Sequence, residues 1–418
     1  IVAGKEFWDR IRNRWVLAVA LVFTVFALVI AYFGGAQQGA VGFRSIEFTI
    51  ASLVSLVIYL IPLIALLLGF DAIVGERERG SLDLLLAMPI TRFELLIGKY
   101  LDHLPLYRQE RIFERAGFAI PRATLAQWVG QCGVALQPLV EALKAEMLTH
   151  MVLHADETPV ALLNPGSGKT DRAYLWSYCI GAHHPVKAVI YDFAESRAGS
   201  HARDFLGDWR GTLVCDDYAG YKALFSTGIT EAGCLAHARR KFFDLHTQNQ
   251  SLIAADALGY FGQLYQIERD AAGFTPTERQ QLRQSQAKPI ADHLHTWLIQ
   301  QRQKVPNSTA SAKAIDYTLK RWAALTRYLS DGQIPIDNNW IENQIRPIAL
   351  GRKNWLFAGS LRAGKRAAGI MSLIQSAKLN CHDPHAYLKD VLTRLPSQPN
   401  SRIGELLPHR WRADTTLT

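Results

Sequence analysis

The chain has 418 residues, room for about two to four structural units at about 100–200 residues each. Apolar residues make up 49% and charged residues 20%, the balance of an ordinary globular chain, which argues against disorder. Lys plus Arg (46) exceeds Asp plus Glu (37), so the net charge of +9 points to an anionic partner, nucleic acid or a membrane surface. Five cysteines, odd in number and without a CxxC pair, exclude a disulfide framework and a Cys-rich zinc knuckle, and they fit a reducing cytosol.

Two uncharged apolar runs open the chain, residues 16–33 (VLAVALVFTVFALVIAYF) and 49–70. A bilayer core needs about 20 apolar helical residues, so these runs predict a two-helix transmembrane hairpin. No A-x-A cleavage site follows the first run, and a second span comes after it, which argues against a cleaved signal peptide. Lys5, Arg10, Arg12 and Arg14 precede the first run, Arg77 and Arg79 follow the second, and the loop between holds only Arg44 and Glu47. The positive-inside rule then puts both termini in the cytoplasm and the full chain at the inner membrane, with the long part after the second run cytoplasmic.

The next segment, GFDAIVGERERGSLDLLLAMPITRFELLIGKYL, carries Glu76, Arg77, Gly80, Pro89 and Gly98–Lys99. It resembles the segment that follows the second span in ABC-2-type transporter permeases, and the resemblance covers residues 1 to about 101. Such permeases usually have six spans; here no further run of 18 apolar residues follows Phe70.

At Asp102 the composition changes. Residues 1–101 hold nine Lys and Arg against eight Asp and Glu, residues 102–418 hold 37 against 29, so the basic excess belongs to the second part. Residues 102–149 read as a helical lead-in, with Leu125, Trp128, Val129 and Leu136 at helical spacing. Strands are expected at 150–155, 172–180 and 186–193, a helix at 200–209, a strand at 211–215, a helix at 220–225 and a strand at 229–235. That order, within residues 150–237, is the order of a ribonuclease-H-like α/β sheet. An all-helical insertion is expected over 238–330, and residues 331–418 hold further helices at 338–349, 365–379 and 384–395.

Three acidic residues stand where chemistry would use them: Asp156 and Asp216 at expected strand ends, in LHADETP and TLVCDDYAGY, and Glu342 on a helix, in DNNWIENQIRP. Carboxylates at neighbouring strand ends converge at a sheet edge, and a third from a helix closes the site. Three hard oxygen ligands suit Mg²⁺ or Mn²⁺.

The longer words LHADETPV, GTLVCDDYAGY, EAGCLAHARRKFFDLH and IDNNWIENQIRPIALGRKNWLFAGS resemble the IS66-family transposases, DDE-type enzymes of bacterial insertion sequences. The resemblance runs from about residue 102 to about residue 410. It implies that Asp156, Asp216 and Glu342 are the catalytic, metal-holding residues, while Asp217 stands where the family more often has Gly or Ala. It also implies metal-dependent cleavage at the element's ends, then attack of the freed 3′-OH on target DNA. The implied partners are element-end and target DNA, a second copy of the chain when active, and accessory proteins encoded by the element.

Basic residues flank this chemistry. His237, Arg239, Arg240 and Lys241 follow the last core strand, and Arg346, Arg352 and Lys353 follow Glu342; both groups are candidate DNA contacts. Trp340 and Trp355 could stack an unpaired base, although core packing accounts for them more simply, and His154 reads as a packed or hydrogen-bonded histidine. NPGSGKTD (164–171) resembles a nucleotide-binding loop, but Leu163 replaces the first Gly of that motif and a strand follows instead of a helix, so it reads as a hairpin turn.

The family's longer amino-terminal part, with its DNA-recognition and Cys-paired zinc segments, is not visible, and residue 1 is Ile. A chimeric or truncated transposase with weak sequence preference is therefore expected; the alternative is an inactive remnant fused to a permease fragment.

Overall fold

The structure, a computed structural model, describes residues 92–413. Three helices lead in: α1 (Arg92–Tyr100), α2 (Leu106–Arg115) and α3 (Arg122–Met147). α3 buries Leu125, Val129, Cys132, Leu136, Leu139 and Leu143, alternately three and four residues apart, a single apolar stripe. Strands β1 (Val152–Asn164), β2 (Lys169–Ile180) and β3 (Val189–Ala194) come next, followed by α4 (Ser200–Leu206), β4 (Thr212–Cys215), α5 (Lys222–Phe225) and β5 (Thr230–Gly233). The insertion holds α6 (Leu235–Asn249), α7 (Leu252–Asp270), α8 (Pro276–Leu282), a π-helical turn (Arg283–Ala287), α9 (Lys288–Lys304), α10 (Ala310–Lys320) and α11 (Trp322–Leu325). The chain closes with α12 (Asn339–Trp355), the short β6 (Phe357–Ala358), α13 (Leu361–Leu379) and α14 (Pro384–Arg394).

The fold is mixed α/β around one sheet of order β3-β2-β1-β4-β5, with β6 added to β1. β1, β2 and β3 are antiparallel neighbours, while β4 and β5 run parallel to β1. The turn between β1 and β2 uses Gly166 and Gly168 at φ +87° and +66°, a region that side chains with a Cβ rarely adopt. Strand alternation divides β1 between two cores. Leu153 and Ala155 join the cluster shared with α3 and α13, while Val152, like Val214 of β4, joins the cluster formed by the insertion. α13 packs across β3, whose backbone N–H groups at Val189 and Tyr191 donate to Ser376 Oγ and Ser372 Oγ at 3.0 and 2.8 Å.

The insertion is organised around Arg283. This fully buried guanidinium donates to Glu268 through two nitrogens, each at 2.7 Å, and to the carbonyls of Tyr328, Asp331 and Ile334 at 2.8–2.9 Å. A buried charge is tolerated when paired and fully hydrogen-bonded.

Several expectations change. β1 does not stop before Asp156 but runs 13 residues, so Asp156 lies inside a strand. The helix bearing Glu342 continues through Pro347 to Trp355. Among the described residues no helix is long and apolar enough to cross a membrane, because their apolar residues come as stripes beside charged faces. That finding overturns the expected placement of the full chain at the inner membrane; the two expected spans, 16–33 and 49–70, lie outside the described residues.

Candidate active site

One edge of β1 has a gap. Residues 152–154 pair with β4 and residues 161–162 pair with β6, which leaves the stretch between them without a ladder partner on that side. Asp156 sits in this stretch. The parallel register, in which His154 lies beside Val214, carries Asp156 alongside Asp216, the residue that follows β4. Backbone carbonyls cannot be left unpaired cheaply, and α12 supplies donors at both its ends. Asn338, its N-cap, donates from its side chain to Ala155 O at 3.0 Å, and Arg352 donates to Pro159 O at 2.6 Å and to Thr158 Oγ1 at 3.0 Å. The helix is thereby fastened over the gap, with Glu342 in its first turn.

Asn338 Oδ1 also accepts from His154 Nδ1 at 2.7 Å, and the backbone N–H of Asn338 donates to Cys234 Sγ at 3.2 Å. His154 is fully buried, and burial lowers its pKa to about 4, so it stays neutral.

Burial is also the main reason that the Asp156 carboxyl is pushed up to about 8. The negative charges of Glu157, Asp216 and Glu342 add to the shift, and the bond from Glu157 N opposes it. The charges of the other two acids of the expected triad, Asp216 and Glu342, thus bear on Asp156. Among the described residues none of them forms an ion pair, whereas Asp217 is bonded to Lys222 at 2.9 Å and to the buried guanidinium of Arg321. Burial works against the charge on Asp217, but the bond from Lys222 and the Arg321 charge outweigh it and hold its pKa low. Asp217 is thus a structural partner of Lys222 and Arg321.

Glu157 went unrecognised in the sequence. It points to the opposite face from Asp156, is buried, and accepts from Tyr221 Oη at 2.7 Å and from Arg197 Nε at 2.7 Å. The Arg197 guanidinium lies 3.8 Å from the Tyr218 ring centroid, and Tyr218 Oη donates to Arg197 O. The two loops carrying them cross closely: a Cβ on Gly199 would fall 2.2 Å from Gly220 O. The only sequence signal for Glu157 was its place beside Asp156.

The candidate DNA contacts divide. Arg197, Asp216, His237, Arg240 and Lys241 line one open groove of ≈ 520 Å³, with Tyr317, whose ring centroid lies 4.4 Å from Lys241 Nζ. Arg239 is exposed beside Phe243 instead. Arg346 and Lys353 are exposed on α12, and Arg352 is engaged with β1. Trp340 and Trp355 pack against the core, and Trp340 Nε1 donates to Ile180 O at 3.1 Å. His237 has a second neighbourhood: ligand atoms of Cys234, His237 and Glu342 all lie within 4.8 Å of one another. Burial pushes the Cys234 thiol up to about 12.

Comparison with known proteins gives three family matches. A transposase family, IS66, matches residues 86–366, the IS66 C-terminal element matches residues 372–409, and the ABC-2 family transporter protein matches residues 1–155. Uncharacterized protein y4qI of Sinorhizobium fredii is 38% identical over 334 residues, 77% of this chain and 62% of that protein. A second protein of the same organism, y4hP, is 35% identical over 346 residues, 78% of this chain and 62% of its own length. The chain therefore spans about three fifths of the length of these relatives. A probable ABC transporter permease protein, NosY, of Pseudomonas aeruginosa is 45% identical over 147 residues, 35% of this chain and 48% of that protein. With the family match running from residue 86 through Asp156, Asp216 and Glu342 to residue 366, the chain belongs to the IS66 transposase family and is joined to a segment similar to ABC-2 permeases.

Proposed function

We propose that the chain carries a ribonuclease-H-like transposase core that cuts and joins insertion-sequence DNA with a divalent metal, in a chimera with a permease fragment. Asp156, Asp216 and Glu342 are the acidic residues of the reaction, with residues 150–237 as the core, 238–330 as a helical insertion and 331–418 as the part bearing Glu342. The observation that carries this reading is the charge that Asp216 and Glu342 place on Asp156 beside a gap in β1, with none of the three in an ion pair among the described residues. Their donor set is all hard oxygen, which fits Mg²⁺ or Mn²⁺. When bound, the metal would activate the attacking oxygen and stabilise the leaving oxygen.

The chain's own groups supply position. Asn338 and Arg352 fix α12 to β1, and so fix Glu342 relative to Asp156. Arg240 and Lys241 offer cations to DNA phosphates along the groove that contains Asp216. Arg197 lines the same groove while anchored to Glu157, which limits its freedom to a narrow range of orientations.

The test is strand transfer by the purified full chain, using duplexes with the terminal sequences of the encoding element and Mg²⁺ or Mn²⁺. Joined products are expected, with a loss of at least about 100-fold in Asp156→Asn, Asp216→Asn and Glu342→Gln, the scale of removing one electrostatic contributor. No products from the unaltered chain with either metal would support the inactive remnant instead.

A further inference from the structure

We propose that Cys234, His237 and Glu342 form a second cation site, selective for a soft or borderline divalent ion such as Zn²⁺. The ligand atoms of the three lie within 4.8 Å of one another, a spread that one ion can bridge. Thiolate, imidazole and carboxylate are all zinc ligands, and three protein ligands leave a fourth position open. Mg²⁺ has no preference for sulfur or nitrogen, so this triad and the all-oxygen triad differ in the metal they select.

Two independent observations point to a ligand. His237 Nδ1 is buried and has no hydrogen-bond partner, a costly state for a ring nitrogen. The Cys234 sulfur already accepts from the backbone N–H of Asn338 at 3.2 Å, an arrangement that suits a thiolate bound to a cation. The three residues are also held by the same fastening. Cys234 follows the last parallel strand at the N-cap position of α6, Asn338 holds the N-cap position of α12, and Leu235 N donates to Ile336 O at 3.1 Å. Binding would displace the thiol proton to solvent, so that the site gains one cation and loses one proton.

The consequence for the reaction rests on the role proposed above for Glu342. That carboxylate would be shared by both sites, so a zinc ion held by Cys234 and His237 would draw it away from the hard-metal triad. Zinc would then inhibit Mg²⁺-driven strand transfer, and removing the thiol would relieve the inhibition.

The experiment is a Co²⁺ titration of the full chain, read by the near-ultraviolet sulfur-to-cobalt charge-transfer band, followed by displacement with Zn²⁺. One band-forming equivalent is expected per chain. Cys234→Ser should abolish the band, and His237→Asn should weaken Co²⁺ binding by more than about tenfold. Cys381→Ser, which removes the exposed cysteine, and Asp216→Asn should leave the band unchanged. Thermal melting checks that each variant folds. Absence of a band in the unaltered chain, its persistence in Cys234→Ser, or its loss in folded Cys381→Ser would overturn the proposal. The two readings fail separately: a band without strand transfer leaves the cation site standing and sinks the transposase reading, while strand transfer without a band does the reverse.

Discussion

Asp156 couples the site to stability. Its carboxyl titrates near 8 in the folded chain, against about 4 when unfolded, because burial and three negative neighbours resist its ionisation. A carboxyl with a raised folded pKa costs stability as pH climbs from about 4 through 8, since the unfolded chain ionises first. In the absence of metal, Asp156→Asn should therefore melt at a higher temperature than the unaltered chain at pH 8. Partial exposure keeps the gain to about 1–2 kcal/mol, a few degrees, and the gain should shrink toward pH 5. Added Mg²⁺ should raise the melting temperature of the unaltered chain and leave the variant where it was. A variant that melts lower than the parent at pH 8 without metal would show that Asp156 is not held against its charge.

At the scale of elements, the fastening of α12 to β1 decides where Glu342 stands. Asn338 serves His154, Ala155 O and Cys234 Sγ together. Asn338→Ala would leave a buried imidazole nitrogen and a buried carbonyl unpaired, which should cost about 2–3 kcal/mol and lower strand transfer together with melting temperature. Asn338→Asp, which keeps an acceptor but not the amide donor, should recover less than half of that loss. The strand-helix order, the turn at 165–168 and the acidic words around Asp156, Asp216 and Glu342 were legible, because alternation and Gly/Pro punctuation are local signals. The extent of β1 was not. Thr158–Pro159 reads as a strand breaker, yet Pro159 O faces Arg352 in the gap, and the N and O of one residue project to the same edge, so the missing N–H breaks no ladder bond. The roles of Asn338 and Glu157 were hidden for another reason: their partners lie 183 and 40 residues away, beyond any window of periodicity.

Across the whole molecule, charge and packing divide the work. Arg240 and Lys241 line the groove with Asp216, while Arg239 sits beside Phe243. Replacing Arg240 and Lys241 by Ala should lower the slope of log binding against log salt by about 2, and Arg239→Ala should change it little. Equal effects from all three, measured by DNA titration at several salt concentrations, would mean the groove is not the DNA path. Arg283 holds the insertion together and ties it to the segment that follows, at Asp331 and Ile334. Arg283→Met strands Glu268 and three carbonyls, and should cost about 3–5 kcal/mol. Its melting curve would show this as loss of the insertion's helices, read by circular dichroism.

The fastening of Cys234 to Asn338 makes the hundred or so residues between them a loop whose two mouths touch. In chain-path terms the loop could be excised and its ends sewn with a few glycines, because no distance needs bridging and closure entropy grows only slowly with length. In surface terms the excision should fail. Val152, Val214 and Ala232 on the sheet bury themselves against the insertion's own apolar residues, so removing it would strip that face to water. Such a deletion chain should therefore collect in the insoluble fraction, although its ends meet. Recovery of a folded, monodisperse product, measured by light scattering and circular dichroism, would mean the sheet stands without its cover.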